Sequence, residues 1–305
     1  MSPFISRIAP LTVALALAVG PAYAGTFQQQ VAADPRGEVD VSNIAGTITI
    51  TGWDKPTVAV SADVSSESQR VKVGGSNGHL RVCVTYGSNS CDSPSSSWFG
   101  HKEPVRLVLH VPQASEVDVA GVSADITSRG VVGVQRLHTV SGNIDADLGS
   151  GDDDVQSVSG TIRLQGSGRD GTLNIATVSG DLSVKHVAGE LEARTVNGTL
   201  DAELSPARLA RLNTTSGTID LRAQLAQGGS IVTETVSGDQ QLHVTAPGGY
   251  SYDARTFSGD IHDCFGQQSE HSQYGPGNRL RGTRGAGGGE VRIKSLSGGI
   301  SLCDH

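Results

Sequence analysis

Val140-Ser141-Gly142-Asn143-Ile144, Val158-Ser159-Gly160-Thr161-Ile162, Val178-Ser179-Gly180-Asp181-Leu182 and Val196-Asn197-Gly198-Thr199-Leu200 follow one another along this chain. The phrase continues as Thr215-Ser216-Gly217-Thr218-Ile219, Val236-Ser237-Gly238-Asp239, Phe257-Ser258-Gly259-Asp260-Ile261 and Leu296-Ser297-Gly298-Gly299-Ile300. The steps between its glycines are 18, 20, 18, 19, 21, 21 and 39 residues. A period of about 20 residues means stacked copies of one small unit, none of which can bury an apolar face alone.

The unit has strand periodicity. Two residues after each glycine stand Ile144, Ile162, Leu182, Leu200, Ile219, Gln240, Ile261 and Ile300, and four after stand Ala146, Leu164, Val184, Ala202, Leu221, Leu242, Asp263 and Leu302. The third position is polar throughout, from Asp145 to Ser301. Such alternation marks a half-buried strand. A second short strand precedes many of the motifs, as at Leu173-Asn174-Ile175 and Val291-Arg292-Ile293. The glycines Gly142, Gly160, Gly180, Gly198, Gly217, Gly238, Gly259 and Gly298 then read as corners where the chain bends sharply. This predicts an all-β chain: a parallel β-solenoid (β-helix) of coils of about 18–21 residues, right-handed by the usual chirality of parallel connections.

The expected organisation has three parts. Residues 1–24 read as a signal peptide, with Arg7, the short apolar run Leu11 to Val19 and the small-residue end Ala22-Tyr23-Ala24, a run too short to span a bilayer. Residues 25–120 form an N-terminal β region that starts and caps the stack. Residues 121–305 form the Ser-Gly solenoid, with a polar, Gly-rich insertion over 265–289. Degenerate motifs at Ala45-Gly46-Thr47-Ile48 and Val122-Ser123-Ala124-Asp125-Ile126 extend the metre backwards.

Composition narrows function. Removing Arg7 leaves 22 basic against 31 acidic residues, a net charge of −9. An acidic surface repels phosphate backbones, so nucleic acid is not an expected partner. No later stretch is apolar enough to span a membrane. Four cysteines in an exported chain suggest two disulfides. Cys83 and Cys91 flank a short loop. Cys264 and Cys303 each lie five residues after a motif glycine, and equivalent positions on neighbouring coils stack about 4.8 Å apart, within disulfide reach. Their pairing makes the 39-residue step one coil with an insertion.

These residues resemble a known family. Val41-Ser42-Asn43-Ile44-Ala45-Gly46-Thr47-Ile48-Thr49-Ile50-Thr51-Gly52-Trp53-Asp54 at the start, and Val105 to Pro112 before the Ser-Gly units, look like the bacterial "putative adhesin" β-strand-repeat domain family of unknown function. The resemblance covers residues 37 to 303 and implies an exported bacterial β-solenoid. It supplies no catalytic motif.

Candidate sites are sparse. Asp152, Asp153 and Asp154 follow Gly149-Ser150-Gly151 and could offer Ca²⁺ three carboxylates. The repeat-in-toxin calcium pattern recurs at every turn, however, and this cluster occurs once, which favours a solvated turn. Asp201 and Asp220 are expected on adjacent coils, as an acid/base pair or as a surface pair. Lys185, Glu203 and Arg222 are expected to stack with alternating sign, and His243 and His262 to decorate neighbouring coils. The histidines lack zinc spacing. The motif serines lack a His-Asp set, so they read as structural corners rather than nucleophiles. Trp98, Phe99 and Tyr274 in polar loops are possible contacts for a partner. No cofactor is expected. The leading expectation is a non-enzymatic exported repeat protein, periplasmic or at the cell surface, offering a rigid surface to an envelope glycan or protein. The alternatives are a carbohydrate-active β-helix enzyme and a periplasmic scaffold assembling through the solenoid ends.

Overall fold

The structure is a computed structural model that describes residues 25–66, 68–86, 91, 103–149, 152–271 and 276–304. The expected signal peptide, Trp98-Phe99 and Tyr274 lie outside the described residues. Everything regular among the described residues is β-strand.

Coils stack in parallel register. Ile144, Ile162, Leu182, Leu200 and Ile219 pair in sequence from coil to coil. The column extends back through Ile126 to Ile48. Every residue in the second and fourth positions is buried, from Ile144 to Leu302. Removing an Ile or Leu side chain from water contributes about 1.5–3 kcal/mol. These files, with the buried residues of the preceding strands such as Leu137, Val155 and Ile175, hold the stack together.

The corners show why glycine recurs. Gly198 and Gly217 have φ of 142° and 150°, a region that side-chain-bearing residues rarely adopt. From Gly160 to Gly238 each glycine also sits directly on the one before. A Cβ on Gly217 would come within 2.0 Å of the carbonyl oxygen of Gly198. Beside the glycines runs a ladder of side chains that accept from the next coil. Asp125 accepts from the backbone N–H of Asn143 at 2.8 Å, Asn143 from Thr161 at 3.0 Å and Asp181 from Thr199 at 2.9 Å.

Spatial order departs from chain order at the far end. The strand Ser230 to Ser237 pairs with Glu290 to Ser297, and Tyr250 to Ser258 pairs with the other edge of that same segment. Gln240 likewise pairs with Ile300, which also pairs with Ile261. The coil of Gly298 is thus inserted between those of Gly238 and Gly259. The 39-residue step carries the chain past the last coil and back underneath it. Cys264 and Cys303 lie on neighbouring coils with Cα atoms 5.0 Å apart and form a disulfide. His243 and His262 are corrected by the same finding: the Gly298 coil separates them, with Cys303 opposite His243 and Ser301 opposite His262.

The insertion closes this end. Asn278–Arg284 runs antiparallel along the outer edge of Tyr250–Ser258, and Glu270–His271 pairs with it in turn. Asp263 ends the buried file; it accepts from the backbone N–H of Gln267 at 2.9 Å and lies 3.3 Å from the Tyr252 hydroxyl.

At the other end lie seven strands: β1 (Thr26–Ala32), β2 (Glu38–Trp53), β3 (Thr57–Asp63), β4 (Gln69–Ser76), β5 (His79–Tyr86), β6 (Val105–Pro112) and β7 (Glu116–Arg129). β2 forms the first coil and stacks on β7. Beyond β2 the two halves of the coil diverge. One continues into β5 and β4, the other into β6, β3 and β1, with antiparallel pairs outermost. The Cys83–Cys91 disulfide, Cα–Cα 6.0 Å, ties off β5.

Candidate functional site

The surface is built by rows, because every position of the unit repeats coil after coil. The most unusual row is apolar and faces water. Two residues before each glycine stand Val140, Val158, Val178, Val196, Thr215, Val236, Leu296 and Phe257 in spatial order. All but Thr215 are large apolar residues 41–53% exposed, and Thr215 is exposed too. Successive coils are about 4.8 Å apart, so eight positions make a ridge about 34 Å long. Single exposed aliphatic residues are ordinary, whereas an aligned file of them marks a contact surface. The periodicity of the ridge follows from the motif: a strand that turns its third and fifth residues before the glycine inward leaves the second outside. The repeated valine was visible in the sequence as the first letter of Val-Ser-Gly, but only the burial pattern shows its exposure.

The ridge ends at a groove. Phe257, 53% exposed, stands beside Arg255, Glu270, His271, Arg279 and Lys294 around an open space of about 750 Å³. The cations there are occupied. Arg255, Arg279 and Arg281 all reach Asp253, and Lys294 lies 2.6 Å from Glu234. Hydrogen bonds from Arg255 and Arg279 hold the Asp253 carboxyl down at about 2 against its burial.

The acidic candidates separate. Asp152, Asp153 and Asp154 lie on a strand, not in a turn. Successive side chains on a strand point to opposite faces, so Asp153 is buried while its neighbours face out. Three carboxylates in this arrangement do not converge on one ion. Asp153 instead accepts from the backbone N–H of Gln135 at 2.8 Å, and Gln135 in turn accepts from the Ser128 hydroxyl at 2.6 Å. Burial pushes the Asp153 carboxyl up to about 6.

Asp201 and Asp220 do sit opposite one another. Arg222 lies 3.7 Å from the first and 3.3 Å from the second. They are an ion-paired group on the solvent face of adjacent strands. The alternating triplet holds in part: Glu203 and Arg222 are register partners on adjacent strands, although the ion pairs of Arg222 go to the two aspartates, whereas Lys185 falls where the register slips between Val184 and Val187.

One further cluster could address a cation. His79 lies 3.1 Å from Glu38 and 2.9 Å from Asp40. It uses a different ring nitrogen for each, and the Arg81 guanidinium lies 3.4 Å from Asp40. A cation bound here would displace both contacts and face that guanidinium. The arrangement is a cross-strand ion-pair network between β2 and β5, worth little at the surface.

A narrow aliphatic core, glycine corners and long rows of repeated surface side chains define a β-strand-repeat protein with a solenoid-like stack. The chain belongs to the Toastrack DUF4097 family, whose pattern matches residues 37–303. No curated protein matches it. Among solved structures it is similar to a "putative adhesin" of Bacteroides fragilis, at 12% identity and TM-score 0.35, over 91% of this chain and 97% of that one. A "putative cell adhesion protein" of Clostridium sporogenes aligns at 9% identity and TM-score 0.26, over 92% and 99%. A "Putative lipid binding protein" of Parabacteroides distasonis aligns at 14% identity and TM-score 0.28, over 91% and 96%.

Proposed function

We propose that this is a non-enzymatic, exported repeat protein that holds an extended partner of the cell envelope, a glycan or a protein, along its aliphatic ridge. The observation that carries the reading is the exposed file from Val140 to Phe257. It is periodic and set on a stack whose coils are cross-linked by backbone hydrogen bonds, so it is preorganised for an extended ligand. The two disulfides fit an oxidising compartment, periplasmic or outside the cell. A right-handed winding of the coils belongs to the same reading, supported by the usual chirality of parallel connections.

The enzyme reading draws on Asp201 and Asp220. Against it stands Arg222, whose guanidinium lies within ion-pair distance of both carboxylates and occupies the space between them and a substrate.

The test is a capture experiment with the protein against an envelope extract and an array of glycans, run beside a polysaccharide-cleavage assay. The expected result is a partner retained by the native chain and lost by the double variant Val158→Asp, Val196→Asp at unchanged melting temperature. Retention by the variant, or cleavage with no partner captured, overturns the reading.

A further inference from the structure

The far end of the stack is closed by a strand bearing Arg279, Arg281 and Arg284. Charged side chains are a common device for keeping a sheet edge from pairing with another chain. Of the two outer strands at the opposite end, β4 carries Arg70 and Lys72 and ends in Gly74-Gly75-Ser76. β1 carries none of these devices. Its seven residues, Thr26-Phe27-Gln28-Gln29-Gln30-Val31-Ala32, include no charge, no proline and no glycine. Among the described residues it pairs with β3 alone.

Its backbone can be assigned group by group. The N–H of Val64 donates to Gly25 and the N–H of Ala33 donates to Pro56, at 3.3 and 3.1 Å. In an antiparallel pair, hydrogen-bonded residues alternate with non-bonded ones. Residues 27, 29 and 31 therefore spend their backbone groups on β3. Thr26, Gln28, Gln30 and Ala32 direct theirs outward.

The strand is also self-complementary. Its exposure reads the same in both directions about Gln29: exposed, half-buried, three exposed, half-buried, exposed. Run antiparallel against a second copy with Gln29 opposite Gln29, it places Thr26 opposite Ala32 and Gln28 opposite Gln30. These are the four residues with outward backbone groups. They would exchange about eight hydrogen bonds, two for each pair. In the same register Phe27 meets Val31 on the inner face, where both already pack against the core. Gln28 and Gln30 meet on the outer face, where both are exposed. A shift by one residue would set outward backbone groups against Gln29, whose own are used.

From this match of backbone parity, side-chain pairing and absent charge, we propose that β1 is a homodimerisation edge. Two copies pair β1 to β1 about a two-fold axis through Gln29, making one sheet that runs through both molecules. The interaction is isologous and closed, since among the described residues each copy offers a single such edge. It leaves the ridge from Val140 to Phe257 untouched, so the dimer presents two ridges.

Sedimentation velocity across a dilution series tests this on the full protein. The native chain is expected to be a dimer that dissociates on dilution. Gln28→Pro removes an outward donor and no bond to β3, and is expected to weaken the dimer at least tenfold. Charge swaps test the register: Gln28→Lys with Gln30→Lys sets like charges opposite and is expected to give monomers. Gln28→Lys with Gln30→Glu sets opposite charges together and is expected to retain the dimer. Melting curves check that each variant folds; should the proline variant fail to fold, the two charge pairs decide alone. A native chain that stays monomeric up to its solubility limit overturns the proposal. So does a dimer equally tight in both charge pairs.

Discussion

Asp239 accepts a hydrogen bond from the backbone N–H of Gly299, 60 residues further along the chain, at 2.8 Å. The same bond joins Asp125 to Asn143 and Asp181 to Thr199, each 18 residues apart. Identical chemistry therefore continues through the stack although the chain has jumped. Gly298 sits on the carbonyl of Gly238, and Gly259 on that of Gly298. The far end is laid down out of order: the Gly259 coil has no neighbour beneath it until residues 289–303 are in place.

The corner column makes the strongest stability prediction. A Cβ on Gly238, whose φ is 138°, would meet the Gly217 carbonyl oxygen at 1.9 Å. Backbone cannot move aside as a flexible side chain can, and the conformation is itself strained for alanine. Gly238→Ala is expected to cost more than about 3 kcal/mol. Gly228 is the control, with φ of 73° but nothing within 4 Å of its would-be Cβ. Gly228→Ala is expected to cost about 1 kcal/mol. Urea unfolding of the two variants checks this; equal losses would refute a packed column.

Cys264–Cys303 closes 39 residues of chain around the inserted coil. Its loss, in Cys264→Ser with Cys303→Ser, is expected to destabilise by about 2–4 kcal/mol. In a stack where each coil touches only its neighbours, the effect should be local. Amide exchange is expected to rise first in Tyr250–Ser258 and Gly289–Ser297, with the coils of Gly160 to Gly198 unchanged. Uniform acceleration across all coils would contradict this.

Much of this was legible in the residues, and the failures have particular causes. Burial at the second and fourth positions followed from alternation alone. Two members of those files are polar, Gln240 and Asp263, and both mark the rearranged end. Gln240 is fully buried and donates to the Lys294 carbonyl at 2.7 Å, tying its coil to the inserted one. Asp263 terminates the last coil. A period counts residues between corners and carries no information on which corner lies on which, so the order was hidden. The ridge was hidden for another reason. A repeated valine shows which residue recurs but not which face of its strand is buried; the third and fifth residues before each glycine turn inward, which leaves the valine outside.

Tyr250 offers a test of the closed end. Its ring is buried, its hydroxyl finds no partner among the described residues, and burial pushes its ionisation up to about 12. A buried hydroxyl left unpaired costs about 1–3 kcal/mol. Tyr250→Phe keeps the ring against Tyr252 and removes the orphaned group. The variant is expected to be as stable as the native chain or up to about 1 kcal/mol more stable by thermal unfolding. A clear loss would mean that the hydroxyl is satisfied.

Asp153 ties stability to pH. Burial is the main cause of its raised pKa of about 6, with Asp152 adding to the rise and the Gln135 N–H opposing it. A raised carboxyl pKa means that the folded state disfavours the charge. Below the ordinary carboxyl value of about 3.8 both states are neutral and the site costs nothing. As pH rises, the unfolded chain ionises first and stability falls, until the folded carboxyl ionises as well near 6 and the loss levels off. Asp153→Asn keeps an acceptor for Gln135 and removes the charge. It is expected to stabilise the protein above pH 6 by at most about 3 kcal/mol. The advantage should shrink to nothing below about pH 4. Denaturant unfolding of both chains from acid to neutral pH reads the difference directly. A variant that is less stable than the native chain at neutral pH would show that the carboxylate is held by more than the single bond from Gln135.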